Sequence, residues 1–277
     1  MRTAIVTLAI GSRYLRLWKE LCEPSWRAYA SRCGFDIILV DQPLDKSPRA
    51  IARSPAWQKC LILEPAIASA YDRIVWMDCD IVISRRAPAI GDDVPIEKIG
   101  VTDEMSIWTL EERQTIVERM SQQYKSNVAW VQMCQSYRNP DAYHQFWGLP
   151  SDIKHIIQTG VMVLSPRHHR QILEHVYYSY DDKGSSLYNY EMRPLSYEIQ
   201  THGLHHLIDP QFNSLLTAAL YRLTYCHNRK LSTLQEAIDF CKRELTNCYF
   251  LHFAGPKVQH EAIRVAIKDV EYEECQS

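Results

Sequence analysis

Residues 73–83 read RIVWMDCDIVI, an apolar, β-rich run broken by Asp78 and Asp80. Two carboxylates that close cannot both stay ionised in a buried setting without a counter-charge, because each raises the other's pKa. A divalent cation supplies that charge, and the carboxyl ends of strands are where α/β sheets place their sites. The plainer reading is two exposed acids capping a turn; the resumption of the strand as Ile81-Val82-Ile83 weighs against it.

Working outward, the stretch upstream alternates strand and helix signals. Residues 2–10 (RTAIVTLAI) are nearly continuously apolar, as a buried parallel strand is. Apolar and aromatic positions at 14, 15, 17, 18, 21, 22, 26, 29 and 33 have helical spacing, with Pro24 kinking or splitting the helix. FDIILV (35–40) is a second strand, and a helix is expected over Ala56–Ala70. The order β-α-β-α-β predicts a doubly wound, mostly parallel sheet flanked by helices. Downstream, strands are expected at 97–102, 156–164, 204–209 and 248–253, and helices at 109–124, 167–180, 214–224 and 231–245. Residues 134–150 read as an aromatic loop. With no repeat, low-complexity tract or linker, one domain is expected over 1–277, with a nucleotide-binding half (1–86) and an acceptor half (87–277) that ends in a metal-binding segment.

Composition narrows the function. Hydrophobic residues are 46% of the chain, enough for a full core, and 31 basic against 33 acidic residues leave no excess for a nucleic-acid backbone. The nine glycines are too scattered to write a P-loop or a G-x-G-x-x-G fingerprint, so a bound nucleotide needs another device. Nine cysteines without a C-x-x-C pair exclude a zinc ribbon and fit a reducing compartment, hence a cytoplasmic expectation. No signal peptide is evident, and no apolar stretch reaches the roughly 18 residues of a membrane span.

Two enzyme classes write an acid pair after an apolar strand. Haloacid-dehalogenase-like phosphatases use D-x-D-x-T/V, which Asp78-Cys79-Asp80-Ile81-Val82 fits, with Asp78 as nucleophile; they normally carry it on the first strand. Lys154 and Asp181-Asp182 are the only weak matches to the distal lysine and acid pair that class needs. The nucleotide-sugar glycosyltransferases of the GT-A fold place D-x-D after about two βα units, as here. A second segment separates the two. His252-Phe253-Ala254-Gly255-Pro256-Lys257 follows the strand CYFL and resembles the H-x-x-G-x-x-K segment of the retaining family 8 glycosyltransferases, the group of glycogenin and the lipopolysaccharide galactosyltransferases. Lys257 comes one residue early, and Val258-Gln259 replace the usual Pro-Trp.

The resemblance extends over most of the chain. Thr7, Leu8 and Tyr14 are similar to the first strand and loop that hold the nucleobase. Trp57-x-Lys59 resembles the donor-contacting Lys or Arg of family 8 and the related family 34. Gln158-Thr159-Gly160 resembles the N-x-G strand start lining the sugar pocket, with Gln in place of Asn. Glu191-Met192 stands where the family has Asp-Gln, before the turn Pro210-Gln211-Phe212-Asn213.

The resemblance implies a metal-dependent, retaining hexosyltransferase. Asp78, Asp80 and His252 would hold Mn²⁺ or Mg²⁺. Thr7, Leu8, Tyr14, Lys59, Gly160, Gly255 and Lys257 would contact the nucleotide sugar, UDP-Gal or UDP-Glc. Glu191 would stabilise the reacting sugar, and a hydroxyl of a glycan or glycolipid would accept it. A catalytically inactive sugar-nucleotide binding module is the non-enzymatic alternative. The aromatics of 137–147 and the tyrosines of 177–190 are expected either to stack on an acceptor or to fill the core.

Overall fold

The computed structural model describes residues 1–150, 152–183, 190–254 and 260–274. The strands are β1 (Thr3–Leu8), β2 (Asp36–Val40), β3 (Arg73–Met77), β4 (Ile81–Ile83), β5 (Ile99–Asp103), β6 (Ile157–Leu164), β7 (His205–Leu207), β8 (Ser214–Leu215) and β9 (Phe250–His252). The central sheet has the order β2-β1-β3-β6-β5-β7, and a second sheet has the order β4-β9-β8. In the central sheet β1 pairs in parallel with β2 and β3, and β5 with β7. β6 alone is reversed, antiparallel to β3 and β5. The expected sheet is thus mostly parallel, with one strand turned at its centre. Burial on both faces explains the unbroken apolar text of β3 and β6: every residue of both is buried.

Residues 73–83 do not form the single interrupted strand read from sequence. β3 ends at Met77, the acids occupy a turn, and β4 resumes in the other sheet. The crossing is fixed by backbone partners: Asp78 N donates to Gly160 O (2.8 Å), Phe253 N donates to Asp80 O (3.0 Å), and the buried Trp26 Nε1 donates to Ile81 O (2.7 Å). Charged residues mark the hinge because a carboxylate cannot continue into either apolar layer.

Other differences have local causes. The run 14–33 is helical, as Ser12–Leu17, a π-turn Trp18–Cys22 and Glu23–Cys33. Pro24, in the first turn after the π segment, lacks the N–H an α-helix would use there, and Gly34 at φ 69° closes the C-terminus. In place of one helix over 56–70 there are a 3₁₀ turn Pro55–Leu61 and a short helix Pro65–Ala68, since Pro65 interrupts the bond ladder. The "aromatic loop" 134–150 overlaps two helices, Val128–Ser136 and Pro140–Gln145, capped by Asn127 on Trp130 N and Asn139 on Ala142 N. Arg-Asn-Pro-Asp, read as a loop, is a helix start. The helix over 231–245 is observed as Leu234–Thr246 behind a Thr233/Glu236 capping box; the helix His260–Glu274 was not expected.

One apolar cluster lies under β4, β9 and the first helices, with Trp18, Trp26, Tyr29 and Phe250; another fills the other side of β1, β3 and β6, with Trp57, Trp76 and Tyr177. Among the described residues no helix is long and apolar enough to cross a membrane, and the eight described cysteines are free thiols.

Candidate metal and sugar-nucleotide site

β3, β4 and β9 bring Asp78, Asp80 and His252 to one point, their ligand atoms all within 4.8 Å of one another. His252 Nε2 lies 3.2 Å from Asp80 Oδ1 and 3.7 Å from Asp78 Oδ2. Its other nitrogen, Nδ1, donates to Asn213 Oδ1 at 2.9 Å, and Asn213 Nδ2 in turn donates to Thr102 Oγ1 at 3.4 Å. An amide oxygen only accepts, so Nδ1 carries a proton, and Nε2, which faces the two acids, offers its lone pair when the ring is neutral. Buried Nε2 makes no hydrogen bond of its own, although Asp80 is near. Two carboxylates and one orphaned imidazole nitrogen, held by an outer amide, fit a divalent cation such as Mn²⁺. Protein groups alone leave the charge unresolved. Burial disfavours the imidazolium, yet Asp80 and then Asp78 outweigh it and push His252 above its usual value. Asp80 moves the opposite way: burial opposes its charge, and His252 pulls it below the carboxylate range.

Gly160 is the floor under this histidine. A Cβ there would sit 2.6 Å from His252 Cε1 and 2.8 Å from Nδ1. The β5–β6 register slips between Val101 and Thr102, jumping from Met162 to Gln158. Residues 159–161 are thereby released from β5, and Gly160 O takes the Asp78 amide instead. A bulge of this kind beside a site re-aims the backbone. Cys79, between the acids, is buried with its thiol pushed up by burial, then by Asp80 and Asp78, and it is not one of the residues whose ligand atoms meet at the cluster.

Lys59 is buried, not an exposed helix lysine. Its ammonium donates to Asp78 Oδ1 (3.1 Å), approaches Glu191 Oε1 (3.0 Å) and Thr159 O (3.4 Å), and lies over the Trp76 ring. Trp76 Nε1 adds a bond to the same Asp78 oxygen at 3.2 Å. Burial alone would lower the lysine, but Asp78 and Glu191 prevail and raise it well above the ordinary range, so it is a fixed cation. Glu191 precedes the helix Met192–Thr201 and is 1% exposed; its Oε2 has no partner. Asp78, Lys59 and Glu191 form one continuous chain of charge leading from the cation cluster to an unspent acceptor.

The remaining expected residues fall as follows. Thr7 is fully buried at the end of β1 with Oγ1 unpartnered, Leu8 is partly buried, and Tyr14 is 51% exposed on the first helix. Gly255 and Lys257 lie outside the described residues. Tyr143, Trp147 and Tyr177 are core: Arg193, 1% exposed, stacks on Tyr143 at 3.9 Å and on Phe146 at 4.8 Å. Asp182 caps the 3₁₀ turn through Ser54 N (2.8 Å) and Trp57 Nε1 (3.0 Å), and Lys154 is exposed, so neither joins Asp78. Sequence reasoning missed Asn213, Trp76 and Glu104. Asn213 stood in the noted Phe-Asn turn, and a histidine ligand's need for an outer partner was the signal for it.

No family model and no curated protein matches the sequence. Solved structures do. A glycosyltransferase involved in the glycosylation of the major capsid of PBCV-1 aligns over 98% of this chain and 100% of its own, at 11% identity and a TM-score of 0.56. The bifunctional glycosyltransferase WbbM aligns over 97% of this chain and 49% of its own, at 12% identity and a TM-score of 0.52. The chain therefore has the fold of GT-A glycosyltransferases, as its sequence led us to expect.

Proposed function

We propose that the chain is a metal-dependent, retaining glycosyltransferase that moves a hexose from a UDP-sugar, UDP-Gal or UDP-Glc, to a hydroxyl of a glycan or glycolipid. The observation that carries this is the Asp78–Asp80–His252 cluster with its orphaned Nε2, seated at the carboxyl ends of β1 and β3 in this fold. Asp78, Asp80 and His252 hold Mn²⁺ or Mg²⁺. A divalent ion there counters charge on the departing diphosphate.

The chain's own groups supply the rest. Thr7, fully buried at the end of β1, shapes the floor of the nucleobase site, and the exposed Tyr14 ring is free to cover the base. Lys59 serves as a strut, holding Asp78 and Glu191 in fixed positions. Glu191, buried behind Lys59, bears a charge that favours the positive centre developing as the anomeric C–O bond breaks. The acceptor oxygen forms the new bond on the same face, and its proton passes to the departing diphosphate oxygen. That route needs no carboxylate base on the opposite face.

Release of UDP from a panel of UDP- and GDP-sugars with Mn²⁺, followed by product anomers in NMR, tests the reading. An α-linked product from an α-linked donor is expected, with Asp78→Ala and Asp80→Ala inactive but folded. Unchanged Mn²⁺-dependent turnover in either variant removes the metal assignment, and a β-linked product makes the enzyme inverting.

A further inference from the structure

Outside the site described above, a cleft of about 340 Å³ runs between the first helical segment and the C-terminal helix. Ser12, Arg13, Arg16 and Glu20 line one wall, His260 and Arg264 the other. Shared packing fixes the walls: Trp18 and Leu21 belong to the same apolar cluster as Ala262, Ile263 and Ala266. Arg264 spends its charge on Glu20 at 2.8 Å. Arg13 and Arg16 have no carboxylate within ion-pair distance among the described residues; Arg13 lies over the Tyr14 ring, 5.9 Å from its centroid. Three residues apart on a helix, the two guanidinium groups share one face and repel each other. An anion between them reverses that sign.

Both walls start beside the cation cluster. β1 lies alongside β3, whose end carries Asp78; Ala9 N still bonds Val40 O, and the first helix begins at Ser12. On the other side Phe253 N bonds Asp80 O, and His260 opens the helix that follows. The cleft is therefore at the same edge of the fold as Asp78, Asp80 and His252, with opposite charge. Guanidinium forks match phosphoryl oxygens two at a time, and the volume is in the range of small-ligand clefts.

We propose that Arg13 and Arg16 bind the phosphoryl oxygens of an organic phosphate in this cleft. Given the glycosyltransferase reading on which the ligand's identity rests, the phosphate belongs either to the donor's diphosphate or to a phosphorylated acceptor. Calorimetry with inorganic pyrophosphate in metal-free buffer tests the site without that reading. The parent binds pyrophosphate more weakly as NaCl rises, and Arg13→Gln/Arg16→Gln loses roughly tenfold per guanidinium removed. Both positions are exposed, and an unchanged melting curve shows that the variant is folded. UDP competing with pyrophosphate on the parent assigns the cleft to the donor; simultaneous binding of the two assigns it to the acceptor. A parent that does not bind pyrophosphate, or a double variant that binds it equally well, overturns the proposal. In that event UDP binding with Mn²⁺ that is lost in Asp80→Ala leaves the glycosyltransferase reading standing.

Discussion

Gly160 matters because of what it lacks. His252 packs on its α-carbon, and an added methyl group meets the ring at 2.6 Å and Asn213 Oδ1 at 3.4 Å. The ring cannot shift without giving up its outer amide. Gly160→Ala is expected to cost about 1–3 kcal/mol of stability by overpacking and to weaken Mn²⁺ binding. Asn213→Ala leaves the space intact yet frees the ring, and is expected to lower Mn²⁺ affinity by roughly 10- to 100-fold. Melting curves and metal titration read both; normal Mn²⁺ affinity in Gly160→Ala would show that His252 is not a ligand. Lys59 makes a different case. Removing it strands Glu191 as a buried charge and leaves the partly exposed Asp78 without its ammonium, so Lys59→Met is expected to cost about 3–5 kcal/mol. Lys59→Met combined with Glu191→Gln removes one stranded charge and is expected to recover part of that loss in a denaturant titration.

Among the elements, legibility follows how much of the cause is local. The acid pair was readable because a charge inside an apolar strand has few explanations. β1 and β6 were readable because doubly buried strands have no polar face to hide. The direction of β6 was not, since reversal depends on which neighbour it meets and not on its own text. The burial of Lys59 was not readable, because its partners Asp78 and Glu191 are 19 and 132 positions away in the chain. Glu104 gave no signal at all. It follows β5, is 5% exposed, and accepts from Gln158 Nε2, which ties the end of β5 to β6. Burial is the leading cause that pushes its carboxyl up to about 7, with Arg113 and then Gln158 pulling the other way. Its proton is therefore held more tightly in the folded chain than in the unfolded one. Stability from this group is full below its unfolded value of about 4.3 and is lost as pH rises to 7, about 4 kcal/mol in all. Glu104→Gln has no proton to lose. From pH 5 to 8 the parent is expected to lose stability relative to that variant in parallel denaturant titrations. Parallel curves across the range would show that Glu104 titrates normally.

Across the whole molecule the cation cluster is the joint between the two sheets. Asp78 ends β3 of the central sheet, Asp80 leads into β4 of the smaller one, and His252 ends β9 beside β4. Backbone bonds across the joint are few: Asp78 N to Gly160 O on one side and Phe253 N to Asp80 O on the other. The smaller sheet shares one apolar cluster with one face of the central sheet, and a second cluster covers that sheet's other face, so the joint's side chains sit at the edge of the layer in which the two sheets dock. An ion held there by both layers binds only when they are docked, and linkage then stabilises the docked chain by about 2.7 kcal/mol at a hundredfold excess over Kd. Mn²⁺ is accordingly expected to raise the melting temperature of the parent and leave that of Asp80→Ala unchanged. Hydrogen exchange locates the effect. Amides of β4 and β9 gain protection with Mn²⁺, while those of β2, remote from the joint at the far edge of the central sheet, do not. Uniform protection over both sheets would mean that they unfold as one unit, and an equal thermal shift in Asp80→Ala would place the ion elsewhere.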